Sequence, residues 1–155
     1  MARKLKIDNG GKVWAPYSPG ITVKDHIWLA GQIGIEGGDD IISQTNEALK
    51  KIDNLLEIAN SSRNDLVMVT ILLTNLDNYS DVNEVYGKWL AESMPPARAA
   101  YEVSKLPGNA LIEIICEAFR GSGTEWGMSM SVFKAYDIRG LAYSELDASF
   151  AERLG

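Results

Sequence analysis

From Ile41 to Ala59 a largely apolar set recurs at 41, 45, 48, 49, 52, 55, 56 and 59, with Thr45 its one polar member and Glu47, Lys50, Lys51, Asp53 and Glu57 between them. Steps of three and four put one apolar stripe along a helix, so this stretch predicts an amphipathic helix. Glu47 precedes Lys51 by four residues, the order that adds ion-pair support on a helix surface. Leu66 to Leu73 has no such rhythm; it is an apolar run rich in β-branched residues and predicts a buried strand. A second helix is expected from about Ser80 or Asp81, with Val82, Val85, Tyr86, Trp89 and Leu90 inward. Pro95-Pro96 ends it, because proline lacks the N–H that a helix ladder needs.

Two further strands are expected over Ala97–Val103 and Ala110–Phe119, separated by the turn Leu106-Pro107-Gly108-Asn109. Upstream, the Pro- and Gly-punctuated stretch Val13–Val23 approaches a short strand, His26–Ala30, which Gly31-Gln32-Ile33-Gly34 closes. Gly37-Gly38-Asp39-Asp40 is a loop that hands over to the first helix. Strands mixed with two helices on one face suggest an α+β sandwich. No internal repeat or low-complexity tract is present.

Length and composition narrow the function. The chain has 155 residues, 46% hydrophobic and 23% charged, which fits one ordinary globular domain with a tail. Its apolar runs fall far short of the ~20 residues of a membrane span. Met1-Ala2-Arg3-Lys4-Leu5 leads into charge rather than an apolar stretch, so neither a signal peptide nor a membrane partner is expected, and the expected location is cytoplasmic. The net charge of −6 and the lack of a basic block argue against nucleic acid as a partner, since phosphate neutralisation dominates such affinity. With one cysteine, Cys116, and one histidine, His26, the chain holds neither an internal disulfide nor a structural zinc site of its own, and no metal is expected. A Ser-His-Asp triad would have to use His26, and no nucleophile-elbow motif accompanies it.

The odd residue is Glu113, set in Leu111-Ile112-Glu113-Ile114-Ile115. A carboxylate within an apolar strand is costly to bury unless something pairs with it. On pattern alone Glu113 faces solvent on the same side as Glu117. Arg98, at the start of the preceding strand, meets Glu113 if the two strands are antiparallel neighbours, and its planar fork suits a carboxylate. The plainer reading of that pair is a surface ion pair worth only ~0–1 kcal/mol. His26 reads as a satisfied structural histidine, Cys116 as a small core residue, and Trp28 and Trp89 as packing. Gly31, Gly34, Gly37 and Gly38 have the spacing of neither a dinucleotide nor a phosphate loop.

Several motifs taken together resemble one family. Ala15-Pro16-Tyr17-Ser18-Pro19-Gly20, Ala30-Gly31-Gln32-Ile33-Gly34, Asn83-Glu84-Val85-Tyr86, Pro96-Ala97-Arg98-Ala99 through Glu102-Val103, and Leu106-Pro107 followed by Ile112-Glu113-Ile114 look like the YjgF/RidA (reactive intermediate deaminase) family. The resemblance runs over about residues 4 to 120 in the family's order. It implies a chorismate-mutase-like α+β fold with a mixed sheet, a homotrimer, and clefts between subunits.

The implied activity is hydrolysis of 2-imino acids, or their enamine tautomers, to 2-keto acids and ammonia. By the same resemblance Arg98 clamps the substrate carboxylate, Glu113 positions or activates water, and Tyr17, Gly31 and Asn83 line the cleft. No cofactor is implied, because an imine carbon is already electrophilic. Two positions depart from the family's pattern: Ala30 stands where imine-hydrolysing members often have Ser, and Ala100 where Cys is common. Both lie at the implied substrate-binding surface and leave substrate preference open. The alternative from a different class is a non-catalytic sensor whose trimer clefts bind a small carboxylate. A ribonuclease activity, attached to parts of the family, is opposed by the net charge.

Beyond Arg120 the character changes. Gly121-Ser122-Gly123-Thr124 is linker-like, and Phe133-Lys134-Ala135-Tyr136-Asp137-Ile138-Arg139-Gly140 resembles the extreme N-terminus of phosphoglucomutase/phosphomannomutase enzymes. The catalytic serine loop of those enzymes is absent, which excludes mutase activity. The expected organisation is therefore a YjgF/RidA-like domain over 1–120 and a linker with an appended tail over 121–155. That tail is either a non-functional read-through from a gene boundary or a genuine cover for an exposed patch.

Overall fold

A computed structural model describes residues 2–125. The mutase-like stretch Phe133 to Gly140 lies outside the described residues.

Helix α1 (Ile41–Ile58) forms where the apolar stripe predicts it and buries Ile41, Thr45, Ala48, Leu49, Ile52, Leu55 and Leu56. Asp40 caps it, accepting from Ser43 N at 2.9 Å, which satisfies one of the donors a helix start leaves unpaired. Lys51 does not turn to Glu47. Its Nζ donates to Ile33 O at 2.8 Å and to Glu36 Oε1 at 2.7 Å, tying α1 to the loop before it. Helix α2 (Tyr79–Leu90) starts one residue earlier than expected and buries Val82, Tyr86 and Leu90. The two helices are joined through Asp53 on α1, which accepts from Trp89 Nε1 at 2.9 Å and Arg63 Nη2 at 2.6 Å. Trp89 is thus both packing and partner.

Among the described residues seven strands make one mixed sheet: β1 (Lys4–Ile7), β2 (Gly20–Val23), β3 (His26–Leu29), β4 (Gln32–Ile33), β5 (Leu66–Leu73), β6 (Ala97–Glu102) and β7 (Ile112–Phe119). Their order is β1-β2-β3-β7-β5-β6, with β4 also paired to β7. β6 runs parallel to β5, with Arg98 opposite Val69 and Tyr101 opposite Leu72. β7 runs antiparallel to the other edge of β5, with Val69 opposite Cys116 and Leu72 opposite Glu113. This corrects the expectation that β6 and β7 are neighbours. Parallel strands need a long crossover, and α2 supplies it between β5 and β6. β6 is thereby delivered to the far edge of β5, and β5 separates it from β7.

The sheet has two unlike faces. Ile112, Ile114, Cys116 and Ala118 of β7 and Val69, Ile71 and Leu73 of β5 are buried beneath the helices. The alternate residues look the other way, where no helix among the described residues covers them: Trp28, Tyr101, Ile115 and Phe119 are all exposed there. Trp28 therefore corrects the expectation of core packing; it stacks on His26 with ring centroids 3.8 Å apart. An open sheet face this rich in large apolar side chains is a surface suited to another protein surface.

Candidate functional site

The residues proposed from sequence fall into two groups, one on each side of the sheet. On the helix side, at edge strand β6, Arg98 is partly buried and pairs with no carboxylate among the described residues. Its Nη2 donates to Tyr79 Oη at 2.9 Å. Its guanidinium lies 5.5 Å from the Tyr79 ring centroid and 5.1 Å from that of Tyr86, close enough for cation–π attraction. Both rings come from α2. Asn83, four residues after Tyr79 and three before Tyr86, stands on the same side of that helix. Ala100, two residues along β6 from Arg98 and opposite Ile71, is packed against the core. Burial drives the Tyr86 phenol well above its usual range, and the nearby Arg98 charge pulls against that rise.

On the open side, Glu113 stands opposite Ile33 of β4 and Leu72 of β5. Gly31 lies against it so closely that a Cβ there would overlap Glu113 Oε2. Only glycine leaves that space for the carboxylate. Partial burial raises the Glu113 pKa above its ordinary value, because desolvation penalises the charged form. Ala30, beside Gly31, donates its N–H to Pro19 O at 2.9 Å. The loop carrying Tyr17 is thereby held alongside, and the Tyr17 side chain is half exposed.

Arg98 and Glu113 do not meet within one chain. They are three residues apart along the strands and two strands apart across them, so their Cα atoms are about 14 Å apart. They also point to opposite faces of the sheet. The structure brings together Arg98, Asn83 and Ala100, and separately Glu113, Gly31, Ala30 and the loop of Tyr17.

The sequence does not single out Tyr79 as a partner of Arg98, and its pattern marks Tyr86 only as an inward residue of the second helix. The signal was there in the spacing of Tyr79, Asn83 and Tyr86 on one side of a helix, once that helix begins at Tyr79. His26 has the structural partner expected of it: Nε2 lies 2.6 Å from Glu117 Oε2 on the open face. Cys116 is a core residue, and burial pushes its thiol up to about 12, far from reactive thiolate chemistry. Among the described residues there is no cluster of three or more His, Cys, Asp or Glu able to hold a metal ion, and no helix long and apolar enough to cross a membrane.

The chain belongs to the family described as Endoribonuclease L-PSP, the YjgF/RidA family, whose model matches residues 10–119. A RutC family protein of Pyrococcus horikoshii is 40% identical over 126 residues, spanning 77% of this chain and 99% of its own. A 2-iminobutanoate/2-iminopropanoate deaminase of Mus musculus is 33% identical over 114 residues, spanning 68% of this chain and 82% of its own. A crystal structure of a Rid-family protein from Yersinia pestis superposes with a TM-score of 0.70 at 37% identity, covering 76% of this chain and 99% of its own. The α+β architecture, a mixed sheet carrying two helices, is that of the family.

Proposed function

We propose that this protein is a cytoplasmic hydrolase of reactive 2-imino acids and their enamine tautomers, of the size of 2-iminopropanoate and 2-iminobutanoate, yielding 2-keto acids and ammonia. The observation that carries the reading is Arg98, a guanidinium pairing with no carboxylate among the described residues and lying close to two aromatic rings. Such a group is suited to take a small carboxylate through two parallel hydrogen bonds. The kinship with deaminases supports the same reading.

Because Arg98 and Glu113 lie on opposite faces, the reading requires a second copy of the chain, and the exposed apolar face of the sheet is the surface on which copies would assemble into a homotrimer. One chain then contributes Arg98, with Asn83 and Ala100 beside it. The next contributes Glu113, with Gly31, Ala30 and Tyr17. Arg98 clamps the substrate carboxylate. Glu113, its pKa raised by burial, takes a proton from water as the water oxygen bonds to the imine carbon. Glu113 passes that proton to the imine nitrogen, giving the carbinolamine; the carbinolamine hydroxyl then yields its own proton through Glu113 to the same nitrogen as the C–N bond breaks, ammonia leaves and the carbonyl forms.

The test is coupled hydrolysis: an amino acid oxidase generates 2-iminobutanoate and semicarbazide traps what survives. Wild type should suppress trapping and Arg98→Ala should not; equal trapping with and without wild type would sink the reading. Ala30 favours a second reading, since it brings no hydroxyl beside Gly31 and Glu113. On that reading the clefts bind a small carboxylate without turning it over. Glu113→Gln separates the two, abolishing turnover in the enzyme while leaving carboxylate affinity intact in the sensor.

A further inference from the structure

Arg98 has four rotatable side-chain bonds, and a guanidinium that must receive a ligand in one geometry loses affinity in proportion to the freedom it gives up on binding. In this chain that freedom is already restricted. Nη2 donates to Tyr79 Oη at 2.9 Å, and the guanidinium lies close to the Tyr79 and Tyr86 rings at 5.5 and 5.1 Å. The geometry points to Tyr79 as a positioning residue: its hydroxyl fixes the orientation of the Arg98 guanidinium, leaving the remaining N–H groups to receive the ligand carboxylate. The inference rests on the reading of Arg98 as the carboxylate clamp.

Three features support this role. The first is charge. A carboxylate at the position of Tyr79 would also orient Arg98, but it would neutralise the cation that an anionic ligand needs; a phenol hydroxyl orients it and leaves the charge intact. The second is anchorage. Tyr79 opens α2, and the turn before it is tied down: Leu76 N donates to Glu102 Oε1 at 2.9 Å and Asp77 N to Asn75 Oδ1 at 2.9 Å. Glu102 lies on β6 four residues from Arg98, so the strand that carries the guanidinium also holds the turn that presents its acceptor. The third is the contrast with Tyr86, whose buried hydroxyl has no hydrogen-bond partner among the described residues. Tyr86 offers Arg98 a ring; Tyr79 offers a ring and an acceptor.

The experiment compares wild type, Tyr79→Phe and Arg98→Ala in the full chain. It measures binding of 2-oxobutanoate by calorimetry, steady-state kinetics on 2-iminobutanoate, and the Arg98 Nε–H resonance of the ligand-free protein in nitrogen-edited spectra. Tyr79→Phe should weaken 2-oxobutanoate binding and raise KM by about tenfold, with kcat within about twofold of wild type. Its Arg98 Nε–H resonance should collapse toward the position of a freely rotating arginine, while its melting temperature stays close to wild type. Wild-type affinity together with an unchanged Arg98 resonance in Tyr79→Phe overturns the role of Tyr79. A wild type that does not bind 2-oxobutanoate, or an Arg98→Ala that binds it equally well, overturns instead the reading of Arg98 on which that role depends.

Discussion

Glu113 sits against Gly31 with its pKa raised above the ordinary 4.5 by desolvation. The folded state therefore holds this proton more tightly than the unfolded chain does. Stability is favoured below 4.5 and is lost as pH rises from there through the raised folded value. At neutral pH the ionised carboxylate is a net burden, so Glu113→Gln is expected to melt at a higher temperature than wild type. That advantage should shrink as the pH is lowered and vanish below 4.5. Thermal melts across the acid range check this; a variant no more stable than wild type at neutral pH would mean that the carboxylate is not desolvated. The oddity of Glu113 was legible in the sequence, since a charge between Ile112 and Ile114 stands out. The reason for it was not, because Gly31 reaches Glu113 only through the β4–β7 pairing.

At the scale of elements, Gly34 is the tightest joint between the sheet and α1. A Cβ there would overlap the α1 backbone at Gln44 and Ala48 N, and backbone cannot swing aside as a side-chain tip can. Gly34→Ala is expected to cost about 1–3 kcal/mol of stability, measurable by urea titration, whereas an unchanged midpoint would show that α1 slides to accommodate the methyl. The sequence made α1 and β5 readable nearly to the residue, since a long period of three and four and an unbroken apolar run are strong signals. It was silent on β1 and β4. Lys-Leu-Lys-Ile has only two apolar positions, and a two-residue strand has no period at all. Pairing was harder still. β6 and β7 follow one another after a short turn and look like a hairpin, but the helix between β5 and β6 had already committed β6 to the other edge of β5.

For the whole molecule, the decisive fact is which residues share a face. Period-two alternation tells which side of its own strand a residue occupies; it does not tell which side of the sheet that becomes until the register of three strands is known. Arg98 and Glu113 were therefore each identifiable in the sequence, while their opposition was not. The arrangement makes a sharp prediction for the proposed trimer. Arg98→Ala and Glu113→Gln should each be inactive alone. Unfolded together and refolded, they should regain activity at up to about a quarter of the sites, because random cyclic assembly sets an intact arginine against an intact glutamate that often. Hydrolysis by the mixed sample, compared with each variant refolded separately, reads this out. A mixture as dead as its components would place both residues in one chain's site or in none.

On the proposed reading, a catalyst whose two working groups face away from each other would be latent until it found its own kind. A newly made chain, however well folded, would carry half of two different sites and no complete one. Activity per chain would then not be constant: it would fade on dilution and rise with abundance until assembly saturates. A cell would gain the activity only once expression passed a threshold, and a copy lacking both groups would silence more sites than its own share of the chains.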